Sequence, residues 1–100
     1  MANLTSIETT VAKALRLSSA AAGNQNIIDE IDRNVEAAKA ELIRMGTDET
    51  TVSSEGALVT EAIITYCLMN MGDEAKYEMY FSAWQYQADN LRKAYPAHEE

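Results

Sequence analysis

The sequence predicts an all-α protein that folds as a small four-helix domain. Four segments carry apolar residues at the three- and four-residue spacing of a helix face, and no segment alternates apolar and polar residues for more than a few positions. Four glycines and one proline in 100 residues leave few places that interrupt regular structure. The length fits a single domain over residues 1–100, with flexible tails expected at residues 1–4 and 96–100.

The first helix is short and is predicted from Ser6 to about Arg16. Thr5 and Glu8 match a capping box, in which each side chain accepts a hydrogen bond from the backbone N–H of the other residue. Its apolar face consists of Ile7, Val11, Ala14 and Leu15. Gly23 and Asn24 then indicate a turn before the next helix.

The second helix is long and is predicted from Gln25 to Met45. Its apolar residues are spaced by three and four, as in a packed helix pair, and they are Ile28, Ile31, Val35, Ala38, Leu42 and Met45. The outer face offers three ion pairs along the helix, Asp29 with Arg33, Glu36 with Lys39 and Glu41 with Arg44. Gly46 stands where a helix commonly ends in a left-handed residue.

A polar segment from Thr47 to Ser53 is predicted to be the longest loop and the most mobile part of the chain. The third helix follows it, starting after Ser53 or Ser54 and ending at Met71, with Gly72 as its stop. Ten of the fourteen residues from Leu58 to Met71 are apolar. This composition predicts a buried central helix, with an exposed strip formed by Glu61, Thr65 and Asn70.

The fourth helix is long and rich in aromatic residues, and it is predicted from an N-cap at Asp73 to about Tyr95. Its core face is predicted to contain Tyr77, Tyr80, Phe81, Trp84, Ala88, Leu91 and Tyr95. A second, shorter apolar stripe consists of Met79, Ala83 and Tyr86. A helix in a monomeric bundle needs only one apolar face, so the second stripe predicts contact with another chain.

Composition argues against several functional classes. The net charge of −8 disfavours nucleic acid and anionic membranes as ligands, because both require clustered Lys and Arg. Cys67 lies in an apolar run and is interpreted as a buried thiol without an activating partner. His98 is the only histidine, so neither a catalytic triad nor a zinc site is expected. We therefore expect no enzymatic activity, no metal and no cofactor.

Two stretches together are similar to the small head–tail connector proteins of tailed bacteriophages. The first is ALRLSS at residues 14–19, followed by a helix that ends in Met45-Gly46. The second is LVTEAIITY at residues 58–66, then MGD at residues 71–73, then Tyr77 and the aromatic run to Leu91. The similarity extends from about Ile7 to Leu91 and keeps the order and spacing of these packing motifs.

The resemblance implies a head-completion or adaptor protein of a phage or prophage that serves in DNA packaging and virion assembly. Such proteins form a homo-oligomeric ring beneath the portal protein, extend the DNA channel and dock a neck or tail-completion protein. DNA only passes through the channel and is not bound by sequence. The expected location is the virion neck, and the host cytoplasm during assembly.

A ring requires two different patches of one subunit to meet across neighbours. Met79, Ala83 and Tyr86 are the candidates for one patch. The predicted loop is the candidate for the other patch or for the channel lumen, through Thr47, Asp48, Glu49, Thr50 and Thr51. The excess of acidic residues suits a channel wall that does not grip passing DNA.

The charge also fits a different class of protein. A small acidic helical module that sequesters a basic protein partner would carry a similar excess of carboxylates. That alternative predicts salt-sensitive one-to-one binding, because salt screens exposed charges.

Overall fold

The computed structural model describes residues 6–17 and 23–97. The fold is all-α, as predicted, with no strand in these residues. The described part contains five α-helices: α1 (Ser6–Ala14), α2 (Gln25–Arg44), α3 (Glu49–Ser53), α4 (Ala57–Met71) and α5 (Tyr77–Ala94). A short 3-10 turn, Glu74–Lys76, leads into α5. The four longer helices correspond to the four that the sequence predicts, and α3 is additional.

Helix α1 ends two residues earlier than predicted, because the backbone turns left-handed at Arg16, where φ is 58°. The N–H of Leu17 donates to the carbonyl of Ala12 and that of Arg16 to the carbonyl of Lys13, which together form a Schellman cap. Ile7 and Val11 are buried as predicted, and Ala12 is buried as well. Ala14 and Leu15, which were also predicted for this face, are only half-buried. The predicted cap residue Thr5 lies outside the described residues.

Helix α2 confirms the predicted apolar face over its 20 residues, with five of the six positions buried and Met45 half-buried at the C-cap. The Asn24 side chain caps the N-terminus by accepting from the N–H groups of Asn26 and Ile27. At the other end Gly46 takes the left-handed conformation, with φ of 108°. Of the three predicted ion pairs only Glu41–Arg44 forms in the described structure; Lys39 pairs instead with Glu55.

The prediction of a mobile loop from Thr47 to Ser53 is wrong. Thr47 is fully buried, and residues 49–53 form α3, which the Asp48 carboxylate caps by accepting from the N–H of Thr51 at 3.0 Å. Val52 points into the core and is 1% exposed. The cap and this single apolar anchor are enough to hold one helical turn and a half against α2.

Helix α4 is the central helix, packed against α1, α2 and α5. It starts two or three residues later than predicted, because residues 54–56 form the turn after α3. Glu61 and Asn70 are exposed as expected, whereas Thr65 is buried and its hydroxyl donates to the carbonyl of Glu61. That hydrogen bond satisfies the hydroxyl, so Thr65 does not need contact with water.

The chain after α5 is tied back to the end of α2. Pro96 faces Thr47 in an isolated bridge, the N–H of Asp48 donates to the carbonyl of Tyr95, and the N–H of Ala97 donates to the carbonyl of Gly46. In the segment predicted to be a flexible tail, Ala97 is therefore hydrogen bonded into the fold and Pro96 is held beside Thr47. Residues 1–4 and 98–100, including His98, lie outside the described residues.

Candidate functional site

Helix α5 is anchored through one narrow face. Trp84, Ala88 and Leu91 are buried, and the Trp84 ring packs edge-on against Tyr66 of α4, with ring centroids 4.9 Å apart. Edge-to-face contacts of this kind stabilise a helix pair beyond the area that they bury. This face fixes the rotation of α5 and so determines which of its residues point to solvent.

The rest of the predicted core face of α5 is less buried than expected. Tyr80 is half-buried, and Tyr77, Phe81 and Tyr95 are exposed at 45%, 39% and 43%. Helix α5 lies mainly on α4 and has only slight contact with α2. Tyr77 and Phe81 stack on each other instead, with centroids 6.0 Å apart.

The second apolar stripe lies on the outer side of α5. Met79 is 58% exposed and Tyr86 is 71% exposed, while Ala83 is half-buried at the flank. With about 100° of rotation per residue, Met79 and Tyr86 point roughly away from the Trp84 face. The structure thus places the three predicted interface residues together on one accessible surface. We call Met79, Ala83 and Tyr86 the α5 stripe.

The five residues of the predicted assembly loop do not act as one surface. Thr47 is buried, and its Oγ1 atom has no hydrogen-bond partner in the described structure. Asp48 is occupied as the cap of α3. Glu49 and Thr50 are exposed on α3, and Thr51 is half-buried, with its N–H and hydroxyl both donating to Asp48. Thr50 and Thr51 line an open pocket together with Leu91 and Tyr95.

A cleft that the sequence did not indicate lies between the end of α1 and the turn that joins α4 to α5. Its volume is about 400 Å³. Half-buried apolar side chains line it, namely Leu15, Leu17, Leu68 and Met71. Arg16 and Lys76 are the basic residues of its wall, and both are exposed. We call this the basic cleft.

The thiol of Cys67 is not a nucleophile in this environment. The residue is fully buried, and loss of solvation raises the pKa of the thiol to about 12. A thiol with that pKa is protonated at neutral pH, and only the thiolate is reactive. Cys67 is therefore a core residue, as the sequence predicts.

The acidic residues are distributed rather than gathered around an ion. No group of three or more His, Cys, Asp or Glu side chains in residues 6–17 and 23–97 is arranged to hold a metal. Asp89 is engaged by Lys93 at 2.9 Å and by Arg92, and these hydrogen bonds lower the pKa of its carboxyl. Arg44 lowers the pKa of Glu41 in the same way.

Across the described helices, none has both the length and the apolar content needed to cross a membrane.

Comparison with known proteins yields no relative. No family model, no curated protein and no solved structure matches the chain.

Proposed function

We propose that this protein is a non-enzymatic structural subunit that assembles with copies of itself through the α5 stripe. The exposure of Met79 and Tyr86 on the side of α5 opposite its core face carries this proposal. Methionine and tyrosine are enriched in the buried centres of protein interfaces. Tyrosine in particular brings a large contact area at low conformational cost, so Tyr86 is the expected anchor.

The energy available from this surface is adequate for a contact between neighbours. Fully burying a side chain the size of methionine stabilises by about 1.5–3 kcal/mol. Met79 and Tyr86 provide two such side chains, and the small Ala83 between them leaves room for a helix of the neighbouring subunit to approach closely. A contact of this size is weak alone and becomes stable when a closed ring repeats it, because the release of one subunit requires two contacts to break.

The particular class that we propose is a head–tail connector of a phage or prophage. In that role the ring sits beneath the portal protein, extends the DNA channel and docks a neck or tail-completion protein. Part of the motif that carries the resemblance packs in the core: Val59, Ala62 and Ile63 are buried and Tyr66 packs on Trp84, whereas Leu58 is 62% exposed. Their burial supports the interpretation of the shared pattern as a fold signature.

Size measurement of matched variants tests the proposal. Tyr86→Asp places a charge in the proposed contact, and Gln85→Asp adds the same charge at the neighbouring exposed position on another side of α5. Native mass spectrometry and sedimentation at high protein concentration, alone and with a portal protein, should show assemblies for the wild type and Gln85→Asp and their loss for Tyr86→Asp. A wild-type chain that stays monomeric and binds neither portal nor neck protein overturns the proposal.

A second candidate function rests on the outer face of α2, where Asp29, Asp32 and Glu36 are all exposed. Such a face would let the protein capture a basic partner. The same variant separates the two functions. Tyr86→Asp should leave charge-driven capture of a basic protein intact, whereas it should abolish assembly through the α5 stripe.

A further inference from the structure

We propose that the basic cleft binds the acidic outer face of α2 from a second copy of this chain. This inference rests on the proposed self-assembly and names the two surfaces that meet. One subunit contributes Arg16 and Lys76, and its neighbour contributes the acidic residues of α2.

The charges of the basic cleft are not fully neutralised by the described residues. Four of the eight basic residues form ion pairs in the described structure, and Arg16 and Lys76 are not among them. Asp73 is the acidic residue of the cleft wall, and its carboxylate keeps its charge while it accepts from the N–H of Ala75 at 3.0 Å as a helix cap. The wall therefore has two cations and one carboxylate, a net charge of +1. Its two exposed cations above an apolar floor are available to a partner that is acidic and partly apolar.

The backbone at Arg16 points to the same conclusion. A left-handed conformation costs a non-glycine residue about 1 kcal/mol or more, and glycine is the usual residue at this cap position. Arginine occupies the position despite this cost, and the conformation sets its Cα at the rim of the basic cleft. Strained positions of this kind are concentrated at functional sites.

The outer face of α2 has the complementary chemistry. Asp29, Asp32 and Glu36 follow helical spacing and are exposed, and Ile43 continues the same side two turns further on at 38% exposure. The Asp29 carboxylate accepts a hydrogen bond from Gln25 at 2.8 Å, which leaves its charge in place. Arg33 is exposed beside Asp29, so this side of α2 has three carboxylates, one cation and one aliphatic residue and remains acidic. Such a face matches a cleft with two cations, one carboxylate and a leucine–methionine floor.

The basic cleft is continuous with the α5 stripe. Lys76, Met79, Ala83 and Tyr86 are spaced by three, four and three residues, so Lys76 extends the stripe by one turn. One side of the subunit is thus basic and apolar, while the outer face of α2 is acidic. Because like charges repel, neither face pairs with itself, and the contact must join two different faces. Such a contact propagates head to tail and closes into a ring when the rotation allows.

Charge reversal on each side, followed by mixing, tests the contact. The variant Arg16→Glu/Lys76→Glu reverses the cleft, and Asp32→Lys/Glu36→Lys reverses the α2 face. Each should weaken self-association by at least tenfold in sedimentation equilibrium, whereas an equimolar mixture should recover it, because the reversed cleft is complementary to the reversed α2 face. Lys13→Glu/Arg92→Glu makes the same change in net charge outside the cleft wall and off the α5 stripe, and it should assemble like the wild type. Circular dichroism confirms that each variant is folded.

The outcomes separate this inference from the proposed function. If assembly responds to Tyr86→Asp but not to charge reversal, or if the mixture does not recover, self-assembly stands and the pairing of these two faces is wrong. If the wild type does not associate under any condition, both are wrong. Titration with inorganic phosphate provides a further check. The inference is overturned if the wild type binds phosphate saturably, Arg16→Glu/Lys76→Glu does not bind it, and that variant still assembles like the wild type. The basic cleft would then be assigned to a small anion.

Discussion

The Lys39 ammonium forms an ion pair with the Glu55 carboxylate and thereby ties the middle of α2 to the turn between α3 and α4. The two residues are 16 positions apart in the chain, and their side chains are only 22% and 33% exposed. Glu55 reaches Lys39 from a left-handed backbone, with φ of 52°. The carbonyl of Glu55 also accepts from the hydroxyl of Thr60, so the turn is held on both sides.

We expect this pair to contribute more than the other ion pairs of the protein. A double-mutant cycle with Lys39→Met and Glu55→Gln, measured by urea unfolding, should give a coupling energy of about 1 kcal/mol, because partial burial reduces screening. The matched cycle on Glu41 and Arg44, which are more exposed neighbours on α2, should give a clearly smaller coupling energy, because water and salt screen the pair. Equal coupling energies in the two cycles would contradict this assignment.

Arg16 should show a conflict between stability and assembly. Replacing it with glycine removes the left-handed strain, and even after the larger entropy of unfolded glycine the free energy of unfolding should rise by about 0.5–1 kcal/mol. Lys13→Gly, inside α1, should lower it by about 1 kcal/mol. Thermal unfolding measures both changes. Sedimentation of the same Arg16→Gly sample should show weaker self-association, and a variant that is both less stable and fully assembled would count against the assigned role.

The parts of the fold that the sequence predicts are those set by local spacing. The α2 face repeats over five turns, so neighbouring positions reinforce one another and its buried residues are predicted correctly. Helix α3 has a single buried apolar residue, Val52, and a pattern needs at least two to be recognised. The feature of the sequence that could have indicated α3 is its N-cap: Asp48 is a favourable cap residue, and its carboxylate accepts the N–H of Thr51, three residues later.

The remaining differences depend on contacts between distant segments. The exposure of Tyr77 and Phe81 follows from the length of α4 and from the slight contact between α5 and α2, neither of which a single helix pattern contains. The basic cleft has the same origin, because Arg16 and Lys76 belong to opposite halves of the chain. By contrast, the outward position of Met79 and Tyr86 is a property of one helix and was predicted from spacing alone.

Gly72 should not tolerate a side chain. A Cβ atom built there would lie 2.5 Å from the carbonyl oxygen of Leu68, which also accepts the N–H of Gly72 at 2.8 Å. Gly72→Ala must move the end of α4 and should lower the free energy of unfolding by about 1–3 kcal/mol.

Gly56→Ala is the matched control, because nothing lies within 4 Å of a Cβ atom built at Gly56. There the loss of a favourable cap residue and the smaller unfolded-state entropy should nearly cancel. Similar losses in both variants would disprove the steric argument.

The buried thiol of Cys67 should make the protein less stable in alkali. Burial raises its folded pKa to about 12, whereas the unfolded thiol titrates near pH 9.0. Between these values the unfolded chain has lost the proton and the folded chain has kept it, so the free energy of unfolding falls as pH rises, by up to about 1.4 kcal/mol per pH unit. Burial also raises the pKa of Tyr66, which acts in the same direction.

Urea unfolding from pH 8 to 11 should therefore show that the free energy of unfolding falls more steeply for the wild type than for Cys67→Ala, which retains Tyr66 and lacks the thiol. Parallel curves for the two proteins would mean that the thiol titrates normally in the folded state, and rapid labelling of the native protein by a thiol reagent at pH 8 would lead to the same conclusion.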